Sequence, residues 1–287
     1  MPELPEVETI RNDLREKILN KKIEKVDLRL KEIVKSSPKD LVLILKENSF
    51  KDIRRRGKLL VFALAKKNKY LTIHLRMTGQ LVYQKGKKTI AGGHSDNNDI
   101  IDLPNKHTHI IFYFSDKSQL FFNDLRRFGV VKIVGKKELE DIFDNFGIEP
   151  LEKGFSLKVF QNIIRNKKRN VKAFLLDQKY IAGIGNIYAD EILFEAKILP
   201  SRKVVSLKAE EIKAIHKAIK KVLKKAIKYR GTTFNDYVDA SGKQGKFLRF
   251  LKVYEREKRK CLRCEKGTIQ KLKIAGRGTR YCDQCQK

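Results

Sequence analysis

Apolar positions recur at helical spacing at the start of the chain. Val7, Ile10, Leu14 and Ile18 fall on one face, and Pro5 stands where a first helical turn tolerates a missing N–H. From about residue 23 to 134 the period changes. Short apolar runs at 59–62, 70–75, 109–114, 120–122 and 130–134 predict strands. Ser115-Asp116-Lys117-Ser118, between two of these runs, predicts a hairpin connection. Residues 85–106 are polar and contain glycine, so a surface loop is expected there. The region reads as an antiparallel β-sandwich with the leading helix packed on it.

Helical periodicity returns after Lys136. It predicts helices over 137–145, 156–165, 170–177, 187–196 and 207–229. In the last of these Ile212, Ile215, Ile219, Val222 and Ile227 form an apolar stripe, with lysines on the other faces. Arg230-Gly231-Thr232-Thr233 ends it, and residues 239–246 read as a flexible loop. There is no internal repeat. The fold class is α+β, in three segments: a β-rich domain at 1–135, a helical domain at 136–238, and a loop with a cysteine module at 239–287.

All four cysteines lie in the last segment. Cys261 and Cys264, then Cys282 and Cys285, make two C-x-x-C pairs separated by seventeen residues. Each pair offers two thiolates from one tight turn, and four thiolates close a tetrahedral site around zinc with no position left for water. The expectation is one structural Zn2+ per chain and no organic cofactor. Between the pairs, Lys273, Arg277 and Arg280 would decorate a two-stranded ribbon able to meet a nucleic-acid groove.

Gly183-Ile184-Gly185-Asn186 precedes a helical run. The glycines permit a sharp turn, Asn186 is a good N-cap, and the exposed N–H groups favour an anion such as a phosphate. A plain capped turn explains the same residues. Charge adds weight to the anion. Lys plus Arg number 65 against 34 acids, a formal +31, which calls for nucleic acid, an anionic membrane or an acidic protein as partner. Part of a Lys-rich excess is also simply solvated surface. No apolar run reaches the ~18 residues of a membrane helix. The acidic N-terminus lacks the features of a secretory signal, so a cytoplasmic protein is expected.

Several motifs in one order resemble bacterial formamidopyrimidine-DNA glycosylases. They are the opening MPELPEVE, His74-Leu75-Arg76-Met77-Thr78-Gly79, Lys106-His107-Thr108-His109, Asp124-Leu125-Arg126-Arg127-Phe128-Gly129, the 182–191 segment around Gly183, Gly185 and Asn186, and the 276–282 segment around Arg277. They span almost the whole chain. The resemblance implies a β-sandwich domain, a helix–two-turn–helix domain and a zinc finger. Departures are the unmatched polar loop from Lys87 to Asp102, Glu265 after Cys264, and Arg280 before Tyr281.

Locally, Glu3 and Glu6 are acids at a helix start, Lys58 is one more cation in a basic run, and Met77 and Phe128 read as core. The resemblance implies other roles. Once Met1 is removed, Pro2 would offer a secondary amine to a sugar C1′. An α-amine, with a pKa of ~8 against ~10.4 for Lys, is far more often neutral at pH 7. Glu3 would be the general acid–base group, with Glu6 in support. Lys58 would donate a proton during β-elimination and touch phosphate. Arg277 would serve the later δ-elimination as a phosphate clamp, since a guanidinium is a poor proton donor. Met77, Arg126 and Phe128 would fill the void left by a flipped nucleotide, and His107 (or His109), Arg126, Lys167, Lys168 and Asn186 would contact DNA. The loop around Ser241-Gly242-Lys243 would cover the extruded base.

The implied activity is a bifunctional DNA glycosylase and apurinic-site lyase acting on oxidised purines. It would work as a monomer on damaged double-stranded DNA, in the cytoplasm of a bacterium and associated with the nucleoid. An endonuclease VIII-like enzyme for oxidised pyrimidines is the same-fold alternative. Leu4 and Arg126-Arg127-Phe128-Gly129 favour the first. The charge and cysteines alone would also suit a non-catalytic zinc-containing nucleic-acid-binding protein.

Overall fold

Helix α1 (Leu4–Ile18) turns Val7, Ile10, Leu14 and Ile18 inward, none more than 2 % exposed. In a computed structural model, which describes residues 1–86, 88–93, 103–232 and 246–287, this helix precedes two antiparallel sheets. One has four strands in the order β2 (Phe50–Arg56), β3 (Leu59–Leu64), β4 (Tyr70–His74) and β9 (Val130–Val134). The other has five, in the order β1 (Ile23–Leu28), β7 (Thr108–Phe114), β8 (Gln119–Asp124), β5 (Gly79–Lys85) and β6 (Lys88–Gly93).

The inner faces of the two sheets meet in one core. Phe50 of the first sheet lies 6.2 Å from Phe112 and 6.4 Å from Phe114 of the second, and 5.1 Å from Phe62 of its own. Such ring pairs contribute about 0.5–1.5 kcal/mol each beyond area burial. Helix α1 adds Val7, Ile10, Leu14 and Ile18 to the same cluster. The 115–118 connection is a hairpin, closed by Phe114 N–H to the Ser118 carbonyl at 2.9 Å.

Two elements differ from expectation. Residues 38–45, inside the region read as strands, form helix α2 (Pro38–Leu45). Ser37 Oγ accepts the Asp40 N–H at 3.2 Å, Pro38 opens the turn, and Leu41 and Leu45 bury one face. Part of the segment expected as a loop, Lys88–Gly93, is a strand, because its backbone pairs with β5 from Lys85↔Lys88 to Gln80↔Gly93.

The chain divides into two compact units, Met1–Asp144 with Tyr229–Leu248, and Asn145–Lys228 with Arg249–Lys287. The first contains both large sheets, α1, α2 and α3 (Lys136–Asp144). The second contains α4 (Leu157–Ile164), α5 (Val171–Leu176), α6 (Asn186–Ala196), α7 (Ala209–Lys228) and a hairpin of β10 (Ile269–Ile274) and β11 (Arg277–Cys282). Helix α6 is its centre, with every residue from Ile187 to Phe194 buried. Helix α7 buries Ile215, Ala218, Ile219, Val222, Leu223 and Ala226, while Ile212 and Ile227 of the expected stripe stay half-buried at its border. Among the described residues no helix is long and apolar enough to cross a membrane.

Candidate active site and metal centre

Pro2 and Glu3 are both buried, Glu3 to 2 % exposure, and Glu3 is the N-cap of α1. The chain retains Met1, so the Pro2 nitrogen is here an amide. The terminal amine of Met1 is held below its ordinary value, first by burial. Lys58 lowers it further, while Glu3 and Glu6 raise it.

The acids of α1 have specific partners. Glu6 accepts the Glu3 N–H through Oε2 at 2.8 Å. Glu8 binds Arg55 at 2.8 Å, and the Arg55 guanidinium donates to the Gly57 carbonyl at 2.9 Å. Gly57, with φ 57°, and Lys58 make the turn between β2 and β3, so this bridge sets the Lys58 turn against the start of α1. Lys58 is only 6 % exposed, unlike a solvated surface cation.

His74, at the end of β4, lies beside this group. Its Nδ1 accepts the Arg76 N–H at 3.0 Å. Burial, then the charges of Arg76 and Lys58, hold it down to about 3. It is a neutral ring with its proton on Nε2, a hydrogen-bond donor without net charge.

Met77, Arg126 and Phe128 form one cluster. The Arg126 guanidinium donates to the Met77 sulfur at 3.1 Å and lies 4.7 Å from the Phe128 ring centroid. Met77 is 38 % exposed and Phe128 51 %, which removes the reading of both as core. Asp124 builds the turn that presents them. Its Oδ1 accepts the Arg126 N–H at 3.2 Å and the Thr78 hydroxyl, and its Oδ2 accepts the Gly129 N–H at 2.6 Å. The two nearby histidines separate. His109 is buried with Nε2 on the Asp124 carbonyl at 2.7 Å, whereas the His107 side chain is half-exposed.

In the second unit Lys167 and Lys168 occupy the turn between α4 and α5. Lys168 is exposed, and the Lys167 ammonium stands 4.8 Å from the Tyr180 ring centroid. The turn before α6 is held by Gln178, which accepts the Gly183 N–H at 2.7 Å and donates to the Ile184 carbonyl at 2.8 Å. Gly183 has φ 90°. Asn186 is not the cap. Gly185 takes that position in extended backbone, and Asn186 is the first helical residue, donating its amide to the Gly278 carbonyl at 3.1 Å.

That carbonyl belongs to the ribbon. Lys172 and Asp190, both wholly buried, pair at 2.7 Å, and Lys172 also donates to Thr279 Oγ1 at 2.9 Å and to the Gly278 carbonyl at 3.1 Å. Burial pushes the Asp190 carboxyl up to about 7, with Lys172 pulling the other way. Asp190 accepts the Arg280 N–H at 2.9 Å. The Arg280 side chain binds Glu257 at 2.8 Å and stacks 4.3 Å from the Tyr254 ring centroid. It is therefore a structural cation and not a free one on the ribbon surface. Arg277, at the start of β11, is exposed.

The four thiols converge, all within 4.8 Å of one another. Cys261 and Cys285 sulfurs are 3.6 Å apart, and those of Cys264 and Cys282 are 3.8 Å apart. A tetrahedron with metal–sulfur bonds of ~2.3 Å has edges of ~3.8 Å, close to these two separations, so the four donors suit a tetrahedral metal ion. Backbone N–H groups of Arg263, Gly267 and Cys285 point at these sulfurs from 3.3–3.4 Å, as suits thiolates. Glu265 takes a left-handed conformation with φ 57°, so the turn forms without a glycine there. The tight position is Gly267, where a Cβ would lie 2.7 Å from the Cys282 sulfur.

Three family models match in order. The formamidopyrimidine-DNA glycosylase N-terminal domain covers residues 1–131, its H2TH domain 146–238, and the zinc finger found in FPG and IleRS 259–287. The chain belongs to the formamidopyrimidine-DNA glycosylase family. A member from Carboxydothermus hydrogenoformans is 43% identical over 289 residues, covering 100% of both chains. One from Listeria monocytogenes is 41% identical over 292 residues, again covering 100% of both. A Lactococcus lactis FPG mutant solved in complex with a Fapy-dG containing DNA is 34% identical, with TM-score 0.89 and 100% coverage of both chains. The Lactococcus lactis Fpg solved with an abasic site containing DNA is 33% identical, with TM-score 0.87 and 99% coverage of both.

Sequence reasoning left His74 without an assigned task and gave Glu6 no partner beyond Glu3. His74 stood only inside a motif, and Glu6 only as support for Glu3. The adjacent Lys58 turn and the distant Thr232 give them their partners, and neither is signalled by local pattern. The loop around Ser241-Gly242-Lys243 and most of the polar segment from Lys87 to Asp102 lie outside the described residues.

Proposed function

We propose that this chain is a bifunctional DNA glycosylase and apurinic-site lyase of base excision repair, acting on 8-oxoguanine and formamidopyrimidines in double-stranded DNA. One observation carries the reading. Pro2 and Glu3 are buried at the start of α1, against which the Glu8–Arg55–Gly57 bridge sets the turn of the buried Lys58.

After removal of Met1, the Pro2 nitrogen attacks C1′. The C1′–N bond to the base breaks and the base leaves with the proton that the Pro2 nitrogen gives up. The C1′–O4′ bond then opens with O4′ taking a proton, and the ring-opened sugar remains as an iminium on Pro2. The iminium acidifies C2′. Loss of a C2′ proton expels the 3′ phosphate, a second elimination expels the 5′ phosphate, and water releases the sugar fragment. Glu3 moves protons at the sugar or base, Lys58 donates during the first elimination and binds phosphate, and Arg277 clamps a phosphate for the second.

Met77 and Phe128 enter the gap left by the flipped nucleotide, and Arg126 bonds the orphaned base. His107, Lys167, Lys168 and Asn186 hold phosphates. Cys261, Cys264, Cys282 and Cys285 hold one structural Zn2+, and no organic cofactor takes part. The segments 1–135, 136–238 and 239–287 serve as catalytic domain, helix–two-turn–helix domain, and lesion loop with zinc finger. The protein works as a cytoplasmic monomer.

The test is borohydride trapping on a duplex containing 8-oxoguanine. Protein with a free Pro2 amine is expected to form a covalent adduct, while the Met1-retaining protein and Pro2→Gly do not. No adduct from correctly processed protein would overturn the catalytic reading. Faster release of thymine glycol than of 8-oxoguanine would overturn the substrate assignment.

A further inference from the structure

Glu6 is 5 % exposed and uses both carboxylate oxygens. Oε2 accepts the Glu3 N–H at 2.8 Å. Oε1 accepts the Thr232 N–H at 2.8 Å and the Thr232 hydroxyl at 3.1 Å, across 226 residues of sequence. The backbone beside this contact leaves no spare room. Gly231 has φ 81°, and a Cβ there would lie 2.6 Å from Glu6 Oε1. The same stretch is tied to α1 a second time, where Arg230 grips both Asp13 oxygens at 2.7 and 2.5 Å. It is tied to Lys246 by the isolated Thr232↔Lys246 bridge and by Lys246 N–H to the Tyr229 carbonyl at 2.8 Å.

A carboxylate facing three donors is acceptor-only, and that chemistry is needed here. We infer that Glu6 is a positioning residue for the reacting end of the chain, fixing the Glu3 backbone, and with it the Pro2 nitrogen and the Glu3 carboxyl, against Gly231–Thr232. This rests on the reading of Pro2 and Glu3 as the reacting groups. Its bonds run to the Glu3 N–H and to Thr232, so it acts through the Glu3 backbone. It removes freedom from a chain terminus, where the first residues are otherwise poorly ordered. Displacing a reacting group by about an ångström costs up to ~100-fold in rate.

The experiment uses full-length protein with Met1 removed. It measures the single-turnover rate of borohydride trapping on an abasic-site duplex, and affinity for a duplex carrying a tetrahydrofuran abasic analogue. Glu6→Gln keeps the shape but places an NH2 donor against Glu3 N–H or against the Thr232 donors. Its trapping rate is expected to fall ~10- to 100-fold while analogue affinity changes less than ~3-fold. Gly231→Ala pushes on the same oxygen and should reproduce this split, whereas Thr232→Ser keeps both donors and stays near wild type.

Unchanged trapping in folded Glu6→Gln and Gly231→Ala overturns the inference. So does an equal loss of trapping and affinity, or the unfolding of both variants, since Glu6 would then serve stability alone. Failure of the underlying reading looks different. In that case wild type gives no adduct, or Pro2→Gly traps as well as wild type.

Discussion

His74 shows how one half-buried side chain ties the candidate site to pH. Its ring is held down to about 3, first by burial and then by the Arg76 and Lys58 charges. In the unfolded chain it titrates near ~6.5. Between these values the unfolded chain takes up a proton that the folded chain refuses. The His74 contribution is therefore complete above about pH 6.5 and shrinks as pH falls towards 3, with a limiting slope of ~1.4 kcal/mol per unit for one group. His109, also lowered by burial, adds a second slope of the same sign. The expected outcome is that His74→Gln flattens, without abolishing, the loss of urea stability between pH 7 and pH 5. An unaltered pH slope would show that His74 is not held neutral by the fold. At this scale the sequence was legible where spacing marked residues, as for Cys261, Cys264, Cys282 and Cys285, whose thiols converge. It was not legible where meaning came from a distant partner. Glu6 looked like one helix-start acid among several, and its bond to Thr232 depends on the tertiary fold.

Elements with their own periodicity could be read directly from the chain, and those stabilised by neighbours could not. Helix α1 and strands β3, β4, β7, β8 and β9 follow their apolar runs. Strand β6 lacks an apolar pattern, and its ladder with β5 forms it. Helix α2 hides an apolar run, 41–45, that would equally suit a buried strand, and the Ser37 cap and Pro38 decide the outcome. The ribbon is the clearest case of an element dependent on others. Its strands are held on one side by Lys172, Asn186 and Asp190, and they end in the thiol cluster on the other. Metal removal should therefore loosen the Arg277 strand. Chelation is expected to lower the melting temperature by ~10 °C or more, as loss of several kcal/mol would in a chain of this size. Gly267→Ala should make metal release faster, because its Cβ would press on the Cys282 sulfur. Thermal melts with and without chelator check the first and metal retention against time in chelator the second, where equal release rates would show that the turn yields at no cost.

At the scale of the whole molecule the dominant fact is a formal charge of +31. The acids are already subtracted in this figure, so ion pairs such as Lys22–Glu47 and Lys136–Glu140 leave the excess untouched, and such exposed pairs contribute little to stability. The excess acts instead through a polyanion. Each phosphate engaged releases counterions, so log K falls with log salt at a slope of ~0.9 per phosphate, and ~6–10 contacts lose ~10³–10⁵ in affinity between 50 and 200 mM salt. Total affinity cannot separate the lesion site from general attraction, but the slope can. Lys168 is exposed and Lys167 half-buried, and neither has an ion-pair partner among the described residues. Replacing either with Ala should weaken binding to all duplexes and reduce the slope by ~1. Met77 and Phe128 carry no charge and are exposed apolar side chains beside Arg126, and the proposed function assigns them to the term that distinguishes damaged from intact DNA. Met77→Ala should therefore keep the wild-type slope while narrowing the affinity gap between abasic-analogue and undamaged duplexes. Titrations of both duplexes at four salt concentrations provide the check. A changed slope with an unchanged gap in Met77→Ala would mean that the cluster acts on the backbone and does not fill the gap.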